Sequence, residues 1–179
     1  MKLLAFAASS SRHSLNRQIV DYAVQVLQTS LDSDASVQRL DLNDFEMPIY
    51  SIDREKEDGI PAAAVSFLKA IRDADAILIS LAEHNGSYTA AYKNIFDWMS
   101  RLDAKVYQDR PMVLLSTSPG ARGGASVLNS AVDSMQYFGG QVKAHLAIPR
   151  FNEVFDTETG QLTDQKLAVL LRDALATLL

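Results

Sequence analysis

Cysteine is missing from this sequence altogether. Its absence excludes structural disulfides, thiolate catalysis, Cys-ligated iron–sulfur clusters and the usual structural zinc sites, so redox chemistry here requires a bound cofactor. Glycine and proline are sparse, 8 and 5 in 179 residues, which argues against a fibrous or low-complexity chain. No apolar run approaches the roughly 18 residues of a membrane span. Positive charge is in deficit: 17 Lys and Arg stand against 22 Asp and Glu, a formal net charge of −5. Nucleic acid and anionic membrane are therefore repelled on average, and a small-molecule partner is favoured.

What is present is the composition of an ordinary globular protein, 47% hydrophobic and 22% charged. The length suits one domain, residues 1–179, with a core continuous between a sheet and its covering helices. The start, MKLLAFAASS, has the lysine and apolar run of a signal peptide. That run falls short of the roughly seven residues such a signal needs, and Arg12 follows at once, so a buried first strand is expected and cytoplasmic residence is the default.

Short apolar runs alternate along the chain with longer segments of helical period. Residues 2–8 (KLLAFAA) read as a strand, and Leu15, Ile19, Tyr22, Ala23, Val26 and Leu27 then recur at helical spacing. SVQRLDL at 36–42 alternates enough for a second strand. Residues 43–60, with Pro48 and the charged DREKEDG, read as a long surface loop, and Pro61 suits the first turn of a helix running to about Arg72. AILISL at 76–81 is the pattern of a central parallel strand covered on both faces. A helix over about 89–102 and a buried strand at 112–118 (MVLLSTS) follow. The next helix places Val127, Leu128, Ala131, Val132, Met135 and Phe138 on one face and is ended by Gly139 and Gly140. QVKAHLAI at 141–148 is a fifth strand, and an irregular stretch leads to a last amphipathic helix through Leu167, Leu171, Leu175 and Leu178. This succession predicts a doubly wound α/β fold whose ligand lies outside the carboxyl ends of parallel strands.

Three loops at those ends are compositionally unusual. In SSSRHSLN (9–16) a strand turns into a helix, whose start offers unpaired N–H groups and the positive end of a dipole to a phosphate. Ser9, Ser11 and Ser14 add hydroxyls, Asn16 an amide and Arg12 a full charge, against the plainer reading of Ser14 as a helix cap. In AEHNGSY (82–88), Asn85 and Gly86 favour a tight turn that lets backbone approach a planar ligand, with Tyr88 near its edge or face. His84 lacks a nucleophile to activate and reads as a turn residue lining the pocket. In SPGARGG (118–124), Gly120, Gly123 and Gly124 also permit close approach, without either the dinucleotide fingerprint or the P-loop, and Arg122 is a candidate contact for an anionic cofactor.

These three loops resemble the signatures of the NADPH-dependent FMN reductases of flavodoxin-like fold, a group that includes bacterial quinone, azo-dye and chromate reductases. The family pattern G-S-x-R-x-x-S-x-N appears as ASSSRHSLN, P-E-Y-N-G-S-Y-P-G-x-x-K-N-x-x-D-W as AEHNGSYTAAYKNIFDW, and S-x-S-P-G-x-x-G-G as STSPGARGG. Ala8 replaces the first glycine, Arg12 stands one position late with Ser11 in its slot, and Ala82, His84 and Thr89 replace Pro, Tyr and Pro. The resemblance implies a three-layer sandwich around a five-stranded parallel sheet of order 2-1-3-4-5. It implies FMN as cofactor, NADPH as co-substrate, and quinone, azo, chromate or flavin as acceptor. It places the phosphate at Ser9, Ser11, Arg12, Ser14 and Asn16, and the ring against Glu83, His84, Asn85, Gly86, Ser87, Tyr88, Ser118, Gly120 and Gly123.

By the same resemblance, hydride passes from NADPH to the flavin and on to an acceptor, with the flavin carrying the chemistry, no catalytic side chain and no metal. The alternative is a flavodoxin-type electron carrier or flavin-binding module that does not oxidise NADPH; Arg12 leans against it. Homodimers or homotetramers are expected from the family. The apolar arc of Tyr92, Ile95, Phe96, Trp98, Met99 and Leu102, and the stretch PRFNEVFD, are candidates to face a partner copy, although Trp98 and Met99 also suit a buried helix face.

Overall fold

Leu3, Ala5 and Ala7 face one side of the first strand and Leu4, Phe6 and Ala8 the other, and each set joins a different apolar core. A strand apolar on both faces must be covered on both, which dictates three layers. In the computed structural model, which describes residues 1–179, β1 (Lys2–Ala8) is followed by α1 (Leu15–Ser30) and β2 (Ser36–Leu40). Then come α2 (Ile52–Asp58), α3 (Ala62–Asp73), β3 (Ala76–Leu81) and a two-rung hairpin of β4 (Glu83–His84) and β5 (Ser87–Tyr88). The rest is α4 (Ala90–Leu102), β6 (Arg110–Thr117), α5 (Ala125–Met135), β7 (Gly140–Ile148), α6 (Phe151–Val154), β8 (Phe155–Asp156), β9 (Gln161–Leu162) and α7 (Gln165–Ala176).

The main sheet runs β2-β1-β3-β6-β7, parallel throughout. Counting only its own five strands, that is the flavodoxin order 2-1-3-4-5. The α1 and α7 helices cover one face through Ile19, Ala23, Leu27, Leu171 and Leu175. On the other face, α3, α4 and α5 pack Phe67, Ile71, Tyr92, Ile95, Met99 and Leu128 against the strands. The central β3 is buried at every residue.

Differences from the sequence reading have local causes. The stretch 43–60 is not one loop: residues Leu42–Phe45 form a 3-10 turn capped by Asp41, which also ends β2 two residues early. Ser51 then caps α2 by accepting from the Arg54 N–H, and Gly59 ends it at φ 76°. This helix buries no residue, so it carries no apolar period to detect. Within the stretch PRFNEVFD, Phe151 and Phe155 are spent inside the chain, stacking 4.8 Å apart within the α1/α7 core. Likewise Tyr92, Ile95, Trp98 and Met99 are spent inside the chain, leaving only Phe96 and Leu102 of the expected arc partly exposed. No helix is long and apolar enough to cross a membrane.

Candidate functional site

The carboxyl ends of β1, β3 and β6 bring the three unusual loops together. In the first, the buried Ser9 hydroxyl accepts the Ser11 N–H at 3.2 Å, which folds the chain into a turn, while Ser10, Ser11, Arg12 and His13 are exposed. Ser14 is the cap of α1, accepting from the Arg17 N–H at 3.2 Å. The N–H groups of Leu15 and Asn16 have no acceptor in the chain. Arg12 forms no ion pair, whereas Arg17 pairs with Asp41.

Asn16 differs from its expected position as a phosphate donor. It is buried, its Oδ1 accepts from the Ser80 hydroxyl at 2.7 Å and the Thr117 N–H at 3.1 Å, and its Nδ2 donates to the Thr117 carbonyl at 3.3 Å. A side chain so engaged ties the start of α1 to β3 and β6.

The second loop is the hairpin of β4 and β5. Asn85 and Gly86 take φ 52° and 78° at its tip, the left-handed pair that a two-residue turn of this twist demands. His84, Asn85, Gly86 and Ser87 are exposed. Glu83 and Tyr88 point elsewhere. Glu83 Oε2 accepts the N–H groups of Ser126 and Val127, at 2.9 and 3.1 Å, so its carboxylate caps the positive end of α5. The Tyr88 ring turns away from the hairpin's open side into the cleft between α4 and α5, 5.6 Å from Tyr92, with its hydroxyl 3.4 Å from that of Ser134.

In the third loop Ser118 is half-buried and Gly120 exposed, with only the Ser118 hydroxyl near the place a Cβ would occupy. Gly123 is buried for a packing reason: at φ 58°, a Cβ there would lie 2.7 Å from the Ile148 carbonyl carbon and the Pro149 nitrogen. Its carbonyl accepts the Ser116 hydroxyl at 2.7 Å. The turn after β7 holds this loop from behind, donating from Arg150 N to Gly120 O and from Phe151 N to Ser118 O. Arg122 hydrogen-bonds Ser126 at the rim.

Thr89 stands in the sequence only as a replacement for the family's proline, and its role emerges from the structure. Buried at the cap of α4, it accepts the Tyr92 N–H and donates to the Ala8 carbonyl at 3.0 Å, locking the hairpin to the end of β1. A threonine just before a helical period was the available signal. With Asn16, Glu83 and Thr89 in place, every one of the three loops is bonded to another element of the site.

Residues 1–153 match the family described as NADPH-dependent FMN reductase. The chain belongs to that family. Among relatives of these FMN reductases, the chain is 27% identical over 178 residues to a quinone reductase of Escherichia coli, covering 91% of this chain and 92% of the relative. An NAD(P)H-dependent FMN reductase of Pseudomonas aeruginosa is 26% identical over 180 residues, covering 99% and 93%. In fold, it is similar to the flavoenzyme NAD(P)H:(acceptor) oxidoreductase of Paracoccus denitrificans, with a TM-score of 0.76 at 21% identity over 99% of this chain and 94% of that one. An azoreductase, AzrA, superposes with a TM-score of 0.70 at 15% identity, covering 98% and 97%.

The geometry fits the family's cofactor, FMN. The α1 start supplies unpaired N–H groups and an unpartnered guanidinium for a phosphate. At Gly86 a Cβ would meet nothing within 4 Å, so the hairpin tip presents bare backbone to open space. The protein is thus an NAD(P)H-dependent FMN oxidoreductase, and the flavin supplies the hydride chemistry when bound.

Proposed function

We propose that this FMN oxidoreductase holds the cofactor's phosphate with Ser9, Ser11, Arg12 and the N–H groups at the start of α1, capped at Ser14, and its ring between the hairpin and the Ser118–Gly123 loop. Arg12 carries the reading: it is an exposed cation with no partner of its own, standing where a helix dipole already favours an anion. Backbone at His84 to Ser87, Ser118 and Gly120 serves the ring, and the interlocking bonds of Asn16, Glu83, Thr89 and Gly123 hold those loops in place before the cofactor arrives. No side chain in this arrangement is asked to move a proton.

The acceptors proposed are quinones, azo dyes, chromate or free flavin. The names of the Escherichia coli relative and of the azoreductase support the first two. A homodimer or homotetramer in the cytoplasm belongs to the same proposal. Its support is the cleft of about 410 Å³ between α4 and α5, where Tyr88, Phe96 and Phe138 remain open to a second copy. The deciding experiment is anaerobic. Protein purified with its flavin is mixed with NADPH under nitrogen, and the oxidised flavin absorbance should bleach and then return on adding a quinone. Protein that stays colourless when titrated with FMN, or a bound flavin that NADPH does not bleach, refutes the reading.

A further inference from the structure

The backbone nitrogen that follows an asparagine can close on the asparagine Cγ to form a five-membered ring. A side chain on the following residue hinders that approach, and glycine has none. Of the six asparagines in the sequence, Asn85 alone precedes a glycine. Nothing in the fold restrains either partner. Asn85 is exposed with its amide free of any bond within the chain, the Gly86 N–H has no acceptor there, and a Cβ at Gly86 would meet nothing within 4 Å. Asn85 stands at φ 52°, positive as the first central residue is in both hairpin turns, I′ and II′. Swinging the Gly86 nitrogen toward Cγ therefore needs only a flip of the peptide between the two residues, which glycine follows without steric cost.

The other five asparagines are held. Asn16 and Asn94 each spend the side-chain amide on three bonds to other segments. Asn43 donates to the Asp41 carboxylate at 2.7 Å. Asn129 lies inside α5, whose ladder engages the N–H that follows it. The N–H after Asn152, that of Glu153, donates to the Arg150 carbonyl at 2.8 Å.

We infer that Asn85 is a site of spontaneous deamidation that bound FMN guards, so that the hairpin is altered only while the cofactor is away. The Gly86 nitrogen gives up its proton to solvent and bonds to Asn85 Cγ, the Cγ–Nδ2 bond breaks, and ammonia leaves with a proton returned from water. Water then opens the ring at either carbonyl, leaving an aspartyl or an isoaspartyl residue at position 85. The net reaction consumes water, releases ammonia and changes no oxidation state. Either product adds a negative charge, and the isoaspartyl form lengthens the backbone of a turn whose length sets the hairpin register. The inference rests on the FMN reading above, which lays the ring against this hairpin and so removes the room that the flip requires.

The test follows the peptide containing residue 85 by mass spectrometry, with isoaspartyl methyltransferase labelling the isoaspartyl form. Flavin-free protein and protein held at known FMN concentrations are incubated side by side. The flavin-free protein should accumulate both products at Asn85 and none at the other five asparagines. FMN at about ten times its Kd leaves roughly one-eleventh of the protein free, and should slow conversion about tenfold. Gly86→Ala should slow it several-fold in flavin-free protein by placing a methyl beside the attacking nitrogen; if that variant fails to fold, the FMN titration is sufficient by itself. An Asn85 that stays intact in the flavin-free protein, while the same peptide converts in urea, overturns the inference. So does conversion at one rate with and without saturating FMN. A chain that leaves flavin fluorescence unquenched defeats the parent reading instead, and the flavin-free arm still decides whether Asn85 deamidates.

Discussion

At the scale of single residues, two neighbours in one loop do opposite work, and their substitutions should separate binding from stability. Arg12→Ala removes an exposed charge with no internal partner, so the melting temperature should hold while FMN binding weakens. A charge-assisted hydrogen bond is worth about 1.5–3 kcal/mol, or roughly 10- to 150-fold in Kd, and quenching of flavin fluorescence reads the change. Asn16→Ala should do the reverse in the apoprotein. It strands the Ser80 hydroxyl and both backbone polar groups of Thr117 in a buried setting, and a loss of about 1–3 kcal/mol is expected in urea unfolding. Both residues are legible in SSSRHSLN as polar candidates at a helix start. What a single sequence conceals is that the partner of Asn16 lies 101 positions away, so only the assembled sheet distinguishes a strut from a ligand donor. Glu83, whose carboxylate caps a helix 43 positions on, was hidden for the same reason.

At the scale of elements, local chemistry was readable wherever it is dictated by backbone conformation or apolar period. The Asn85–Gly86 turn, the capping Gly139 at φ 74° and the uniformly buried β3 are all of this kind. The polar α2 was not, because a helix stabilised only by its caps has no buried face to announce it. Glycines sharpen the contrast between conformational and steric demand. Gly86→Ala meets open space, so its cost is that of a left-handed non-glycine residue, about 1–2 kcal/mol. Gly123→Ala adds a methyl 2.7 Å from the backbone of Ile148 and Pro149, neither of which can step aside, and should cost distinctly more. Urea midpoints of the two variants test the order; equal losses would mean that the contact between the third loop and the end of β7 is slack.

At the scale of the whole molecule, buried tyrosines set how the protein meets alkali: burial raises Tyr22 in the α1/α7 core, and the opposite face carries a closer pair. The α3/α4/α5 core holds Tyr92 and Tyr107, both fully buried, with their hydroxyls 2.5 Å apart. Desolvation pushes both well above the ordinary tyrosine range, and burial also raises Tyr88 beside them. The unfolded chain releases these protons near pH 10, where the folded chain still keeps them. Stability is therefore complete below about pH 10 and falls as pH rises beyond it, by up to roughly 1.4 kcal/mol per pH unit for each such group. Tyr107→Phe removes one titrating group but leaves the Tyr92 hydroxyl without its partner. The variant should be less stable than the parent near neutrality, by about 1 kcal/mol, and should lose less stability between pH 10 and 11. Unfolding free energies measured at pH 8, 10 and 11 decide the matter, and parallel alkaline slopes in the two proteins would show that the pair ionises without opening the core.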